Sequence, residues 1–368
     1  MKKERKVDPM PQQQKINLAV LFGGASSEHE VSRMSVTSIL SHLDREKYQI
    51  FCIGIKKDRS WWLYQGTDSA ILNGDWERDS GNRRCTLSCD PAQPGILAEN
   101  GQIYPIDAAL PVLHGKNGED GTVQGMFELH GIPYVGCGVL ASAVCMDKGV
   151  TNTLLQSAGI PEADFIWFYA EDYLDTPGRY LRECAEKLGF PVFVKPANAG
   201  SSVGVSKARN EEELKAAIQT AAKEDGKIVI EAAVDGIEVE CAVLGNSRPI
   251  ASCVGEIVPP DGFYGYDSKY INNTSSLYIP ARIPEETARK VREQAVKAFR
   301  LLGCSGLARV DFFVRRSDGE VLLNELNTLP GFTSISMYPK LFAHEGIPYS
   351  ELLDRLIQLA LEKWGAGR

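Results

Sequence analysis

The sequence is short of several features, and each shortage narrows what it can be. No stretch approaches the ~18 unbroken apolar residues that a bilayer-crossing helix needs, so no membrane span is expected. The first residues, MKKERKVDPMPQQQ, are charged and then polar, with no apolar h-region after them, so no secretory signal is expected. Residues 1–15 read as a disordered tail. No CxxC pair occurs among the nine cysteines, which are odd in number and scattered, so neither a zinc site nor a disulfide framework is expected. They read as reduced thiols of a cytoplasmic protein, most of them in the core. Neither GxxxxGK[ST] nor GxGxxG is present, which argues against a Walker A loop and against a nicotinamide-dependent oxidoreductase. Basic residues are outnumbered 40 to 48, giving a net charge of -8. That argues against whole-protein affinity for nucleic acid or an anionic membrane, and leaves room for a local basic pocket.

The chain has 368 residues, 43% hydrophobic and 24% charged, an ordinary soluble composition. At roughly 150 residues per domain it holds two or three domains. Residues 15–22 (KINLAVLF) read as a buried strand stopped by Gly23-Gly24, with a helix from about Val31 and a second strand over 49–55. Residues 56–102 read as irregular, and DAALPVLHG as a third strand ending in a loop. This alternation predicts a doubly wound α/β first domain, with ligands at the strand carboxyl ends. Asp147 is placed to cap a helix that ends before Gly159. VFVKPANAGSSVGVSKA reads as a hairpin with a mobile tip, 211–223 as a helix and 227–231 as a strand. Pro284 to Leu302 has apolar residues at helical spacing, and Ser350 is read as the cap of a closing helix.

Four places suggest chemistry. In LARVDFFVRRSDGEVLLNELNTLPG, Arg309 and Asp311 share one strand face, as do Glu325 and Asn327. A three-residue loop, Ser317-Asp318-Gly319, would set Asp311 opposite Glu325 with Gly319 left-handed; a two-residue loop would separate their faces. Such hard oxygen donors suit Mg²⁺, the bland reading being a salt-bridge patch around Arg309. Lys195 before the small-residue loop Ala199–Gly204 fits phosphate binding, or an ordinary flexible hairpin. Glu28, between a strand and a helix, reads equally as a holder of a substrate ammonium and as a helix-start charge. His114, in PVLHGKNGEDGTVQG, reads as a general base, a substrate contact or a loop-satisfied imidazole.

Taken together, LFGGASSEHEVS (21–32), LHGKNGEDGTVQG (113–125), GCGVLASAVCMDK (136–148), VKPANAGSSVGVSK (194–207), YDSKY (266–270), ARVDFF (308–313) and NELNTLPGFTSIS (324–336) resemble the D-alanine–D-alanine ligase family. The motifs span nearly the whole chain in family order. The resemblance implies an α/β ATP-grasp fold of three domains: residues 16–136, a central ATP-grasp domain 137–227, and a C-terminal one 228–368 with a mobile loop 257–278. It implies ATP held between the last two, and two D-alanine molecules joined through an acylphosphate. Asp311, Glu325 and Asn327 would hold two Mg²⁺ ions, with Mn²⁺ able to stand in for them; the sequence leaves the use of a monovalent cation open. Arg309 and the N–H of Gly331 would stabilise the tetrahedral intermediate.

The resemblance also assigns Lys148, Lys195 and Ser202 to the ATP phosphates, Glu231 to the adenine side and Glu238 to the ribose. Glu28 would bind the first ammonium, linked to Ser201 and Tyr270, with His114 a substrate contact. Lys269 would reach the transferred phosphate, and Ser336 the second carboxylate, with Met337 beside it. Relatives using D-lactate carry a histidine where Tyr270 stands, and those favouring D-serine an arginine at Met337, so the resemblance points to D-alanine. Ile335 and Leu329 depart from residues found in some members, which bears on second-substrate fit. A homodimer through the first domain is implied. A non-catalytic nucleotide-binding module would lack Arg309 or part of the metal cluster; both are present.

Overall fold

The computed structural model describes residues 15–90, 92–258 and 276–365. The tail 1–14, most of the 257–278 loop, and with it Lys269 and Tyr270, lie outside the described residues.

The chain opens with strand β1 (Ile16–Gly23), helix α1 (His29–His42) and strand β2 (Tyr48–Ile55). Next come β3 (Trp61–Tyr64), α2 (Asp68–Asn73), a short 3-10 turn (Asp75–Arg78), β4 (Arg83–Leu87), β5 (Gly95–Ala98) and β6 (Ile103–Pro105). Strand β7 (Ala108–Val112) and helix α3 (Thr122–His130) follow. One seven-stranded sheet results, ordered β6-β5-β4-β3-β2-β1-β7. Only β2, β1 and β7 run parallel; β3 to β6 add on antiparallel, so the sheet is mixed. Strand β1 is buried on both faces, as a central parallel strand must be. Leu18, Val20 and Phe22 join Val36, Ile39 and Leu40 of α1, while Ala19 and Leu21 join Val123 and Phe127 of α3. The stretch 56–102 is therefore not irregular. Its strands are three to five residues long, too short to show an alternating pattern.

Helices α4 (Val139–Met146) and α5 (Lys148–Ser157) lead to β8 (Phe165–Tyr169), α6 (Ala170–Asp175), α7 (Pro177–Lys187), β9 (Val192–Pro196), β10 (Ser206–Ala208), α8 (Glu211–Ala221) and β11 (Lys227–Ala232). These four strands form an antiparallel sheet, β10-β9-β11-β8. Strand β11 pairs with β8 and β9, so a boundary at 227/228 would cut this sheet. Cys137, Ala141, Cys145, Leu155 and Ile160 bury themselves in the core of the next unit. By packing, β8 to β11 and the helices between them form one body with its own core, to which, among the described residues, α4 and α5 contribute no buried residue.

The last unit comprises β12 (Gly236–Gly245), β13 (Ile250–Val258), β14 (Ser276–Tyr278), α9 (Glu285–Leu301), β15 (Gly306–Arg315), β16 (Val321–Asn327), α10 (Met337–His344) and α11 (Tyr349–Gly365). Its five strands are ordered β14-β13-β12-β15-β16. Helix α9 covers one face; α10 and α11 cover the other and carry the core on into the first sheet. Ser350 falls inside the first turn of α11 rather than capping it, and the Leu352 N–H bonds the Pro348 carbonyl. All nine cysteines are free, and six of them are buried. Among the described residues no helix is long and apolar enough to cross a membrane.

Candidate active site

A cleft of about 310 Å³ opens between the central and last sheets and is closed at one end by loops of the first unit. Its wall from the last unit begins with the β15–β16 hairpin. Asp311 pairs with Glu325 and Arg309 with Asn327, so the four functional groups share a face. The turn that achieves this is not the odd-length one. Arg315 and Glu320 close a four-residue loop, with Gly319 left-handed at φ 73°. Continued regularly, that even loop would set Asp311 opposite Asn324. A bulge at Asn324 supplies the missing residue and restores the alignment.

Arg309 donates to Asp311 from Nε at 2.8 Å and from Nη2 at 2.7 Å, and its Nε lies 3.1 Å from Glu240. Burial alone would depress the guanidinium; Asp311 and Glu240 outweigh it and hold the pKa well above its usual value. Asn327 Nδ2 donates to Asp311 at 3.0 Å. Two carboxylates and one amide oxygen at adjacent positions form a hard-oxygen donor set that fits Mg²⁺.

The opposite wall comes from the central sheet. Lys195, on β9, donates to Glu231 of β11 at 2.5 Å and lies 3.5 Å from Asn324. Burial would lower the Lys195 pKa, but the Glu231 carboxylate, with Glu325 and Glu238, raises it, so the ammonium stays charged. Asn152 Nδ2 donates to Glu231 at 3.2 Å. Lys148 opens α5, whose cap is Asp147 as the sequence suggests, and donates to the Ala199 carbonyl at 2.9 Å. Ser201 and Ser202 at the hairpin tip are left-handed, at φ 48° and 59°. Non-glycine residues seldom adopt this conformation, so the tip is a tightly turned loop of small residues. Ser202 and Glu238 line the cleft with them.

At the closed end, Glu28 is nearly buried and accepts a short hydrogen bond from Ser201. A Cβ on Gly115 or Gly200 would lie 2.6 or 2.7 Å from its carboxylate, so only glycine lets the backbones approach. His114 donates from Nδ1 to the Leu329 carbonyl at 3.2 Å and accepts from Ser35 at Nε2, 3.1 Å away. Burial lowers its pKa against the pull of Glu28, so the ring is neutral with both nitrogens satisfied. Of the three readings of His114, this geometry matches the satisfied imidazole, although the ring still lines the cleft. Gly331 and Ser336 sit together: Ser336 Oγ accepts from the Thr333 N–H at 2.9 Å, and a Cβ on Gly331 would come within 2.9 Å of it. Met337 is buried with its sulfur packed over Gly255, and the residue also lines the cleft.

Sequence reading missed three residues here. Glu240 follows Glu238 by two on β12, so period-two alternation carried the signal. Glu119, within the quoted LHGKNGEDG motif, accepts from the Gly115 N–H at 2.7 Å. Burial first, then Glu28, push its carboxyl up to about 8. Asn324 reaches the cleft through a bulge that no regular pattern announces.

Two family models match the chain: "D-ala D-ala ligase N-terminus" over residues 17–137 and "D-ala D-ala ligase C-terminus" over 154–358. The chain belongs to the D-alanine–D-alanine ligase family. It is 52% identical over 365 residues to the D-alanine–D-alanine ligase of Acetivibrio thermocellus, covering 95% of this chain and 97% of that one. Identity to the ligase of Ruminiclostridium cellulolyticum is 49% over 362 residues, covering 95% and 96%. Among solved structures, the VanG D-Ala:D-Ser ligase of Enterococcus faecalis superposes with a TM-score of 0.86 at 41% identity, covering 94% of this chain and 100% of that one. The D-alanine–D-alanine ligase of Coxiella burnetii gives 0.85 at 36%, covering 96% of each. The three-sheet architecture is thus the three-domain α/β fold of ATP-grasp ligases.

Proposed function

We propose that this ligase joins two D-alanine molecules, converting ATP to ADP and phosphate, to supply a dipeptide for peptidoglycan precursors in the cytoplasm. The observation that carries the reading is the convergence of two groups in one cleft. Glu28, held by Ser201, and the Arg309–Asp311–Glu325–Asn327 cluster line the same cleft as Glu119, whose carboxyl is raised by burial and by the charges of Glu28 and Glu325.

A carboxylate is a poor acyl donor, because oxide would have to leave. In the first step an oxygen of one D-alanine carboxylate attacks the γ-phosphorus of ATP, and the bond to ADP breaks. In the second, the amine of another D-alanine attacks the acyl carbon, the carbon–oxygen bond to phosphate breaks, and the nitrogen gives up a proton. Glu28 anchors the first ammonium, with His114 nearby. Ser336 receives the second carboxylate, with Met337 as an apolar wall beside it. Arg309 and the Gly331 N–H stabilise the oxyanion. Lys148, Lys195 and Ser202 hold the phosphates, Glu231 borders the adenine and Glu238 the ribose. Lys269 and Tyr270 would complete the closure over the transferred phosphate and Glu28. Magnesium, or manganese in its place, would be held by Asp311, Glu325 and Asn327 and would neutralise phosphate charge. Two such ions, a monovalent cation and a homodimer built through the first domain belong to the same reading. So do domain limits near 16–136 and 137–227, with the second extended to 232 by the pairing of β11.

A second reading, D-serine as acceptor, is favoured by the likeness to a D-Ala:D-Ser ligase. The thioether of Met337 argues for a methyl group instead, since it offers a hydroxyl only a weak acceptor.

The test is phosphate release from ATP and Mg²⁺ with D-alanine, D-serine, D-lactate or L-alanine, with products identified by mass. D-alanine alone should drive release and yield its dipeptide. Arg309→Ala should lower that rate by at least about 100-fold, the scale for losing one oxyanion donor. Product only from mixtures with D-serine would shift the acceptor; no response to any D-amino acid would end the reading.

A further inference from the structure

Three serines of α1, Ser32, Ser35 and Ser38, lie three residues apart and so share one side of the helix. A serine inside a helix usually turns its hydroxyl back to its own helix or out to water. These three donate to other elements. Ser32 Oγ donates to the Val112 carbonyl of β7 and accepts from the Gly23 N–H at 2.8 Å. Ser38 Oγ donates to the Tyr349 hydroxyl of α11 at 3.3 Å. Ser35 is fully buried, with its Oγ 3.1 Å from Nε2 of His114. Chemistry fixes the order of protons there. The Leu329 carbonyl can only accept, so Nδ1 of the neutral ring carries the proton and donates to it at 3.2 Å. Nε2 is then an acceptor, and the Ser35 hydroxyl donates to it.

Both ends of this chain of bonds fall on one short loop. Ser35 Oγ also accepts from the Phe332 N–H, at 3.5 Å. Leu329 and Phe332 flank Pro330-Gly331, so the relay from the Phe332 N–H through Ser35 and His114 to the Leu329 carbonyl spans the peptide that carries the Gly331 N–H. Two further groups pin the same loop. The Leu329 N–H donates to the Glu119 carboxyl, and the Tyr349 hydroxyl donates to the Phe332 carbonyl at 2.5 Å. The N–H and the carbonyl of both flanking residues are therefore held, by four side chains, three of them from the first unit. Gly331 has no side chain of its own to anchor it, so its direction is set by its flanks.

We propose that Ser35 is a positioning residue for the oxyanion site: through His114 and the Phe332 N–H it fixes the Leu329–Phe332 backbone, and so aims the Gly331 N–H at the acyl oxygen as the tetrahedral carbon forms. This rests on the reading that Arg309 and the Gly331 N–H stabilise that oxygen. Ser35 is fully buried while Gly331 lines the cleft, so the effect of Ser35 passes through backbone geometry.

The test uses the full chain in single turnovers, with enzyme in excess of ATP, saturating D-alanine and Mg²⁺, and both ADP and dipeptide followed after quenching. ADP marks formation of the acylphosphate, a step in which no oxygen on the acyl carbon gains charge. Dipeptide marks attack by the amine, in which one does. Ser35→Ala should slow dipeptide formation on the order of tenfold, less than the outright loss of a donor, with ADP formation within about twofold. Ser35→Cys, similar in shape and a weaker donor, should fall between Ser35→Ala and the parent. Arg309→Ala removes the other oxyanion donor and should show the same split more strongly. Dipeptide formation unchanged in Ser35→Ala, or ADP and dipeptide slowed alike, overturns the positioning role, and a split in Arg309→Ala then leaves the oxyanion reading standing. If Arg309→Ala shows no split either, the reading beneath fails, and the proposal with it. Should Ser35→Ala not fold, Tyr349→Phe releases the same loop at the Phe332 carbonyl and decides the matter: the split supports the proposal, and its absence overturns it.

Discussion

A carboxyl group buried without a partner resists ionisation, and Glu162 is such a group. It sits where Pro161 accepts from the Leu323 N–H at 2.8 Å, at the seam between the central and last sheets. Neither of its oxygens has a hydrogen-bond partner among the described residues. Burial, and then the charges of Glu231 and Asp164, push its pKa up to about 8. The unfolded chain ionises this residue near 4.5, while the folded one keeps it neutral until about pH 8. Folding therefore loses stability from Glu162 as pH rises through that window and loses no more above it. Glu162→Gln removes the ionisation. It should match the parent near pH 4.5 and become more stable by about 1–2 kcal/mol at pH 8.5, a value reduced for partial exposure. Urea denaturation at the two pH values reads this directly, and an equal difference at both would remove Glu162 as the cause. Glu162 drew no notice in the sequence, because its environment comes from Leu323 and Glu231, both far along the chain. Arg309, Asp311, Glu325 and Asn327 were legible because polar residues interrupted apolar strands at a spacing of two.

At the scale of elements, Asp147 joins capping to tertiary contact. Its Oδ1 accepts from the Val150 N–H at 3.1 Å, closing the first turn of α5. Its Oδ2 meets Lys227 of β11 at 2.6 Å, with both side chains largely buried. Asp147→Asn keeps the cap and loses the ion pair; Asp147→Ala loses both. The alanine variant should be less stable than the asparagine one by about 1 kcal/mol, the usual worth of a cap. Both should fall below the parent by a larger step, about 2–3 kcal/mol, because Lys227 is left buried without its carboxylate. If the two variants unfold at the same urea concentration, the cap contributes nothing. The cap could be read from sequence, as a short polar residue before a helical run, whereas the ion pair could not. The β15–β16 hairpin divides in the same way. Asp318-Gly319 announced a turn, and the facing of Asp311 and Glu325 was right, but the loop parity was wrong. A bulge obeys no period, so a pattern argument that demands alternation assigns its extra residue to the loop. The same limit hid strands β3 to β6, which are shorter than the pattern needed to detect them.

The whole molecule has an uneven distribution of cores, and this decides what can move. One core runs from β1, α1 and β7 through α10 and α11 into β12, so the first and last units share a single apolar interior. Tyr349 strengthens the join: it donates to the Phe332 carbonyl at 2.5 Å and stacks on His42 with 4.2 Å between centroids. The central sheet keeps its core to itself, with every buried member drawn from residues 166–230. It meets the rest of the chain largely through polar contacts: Ser201 with Glu28, Lys195 with Asn324, Lys148 with the Ala199 carbonyl, Asn152 with Glu231, and Asp147 with Lys227. Shared apolar cores unfold together, and units joined by a few polar contacts open separately. Amide exchange in increasing sub-denaturing urea should therefore show β8, β9 and β11 losing protection as one group. Strands β1, β7, β12 and β15 should lose theirs later and together. On the proposed reading ADP with Mg²⁺ spans the cleft, and it should then raise the protection of the central group toward that of the others, since a ligand held by both walls links their opening. Loss of protection at one urea concentration throughout would mean that the polar contacts couple the bodies as strongly as a shared core. Separate transitions that ADP leaves unchanged would place the nucleotide somewhere other than between β9 and β16.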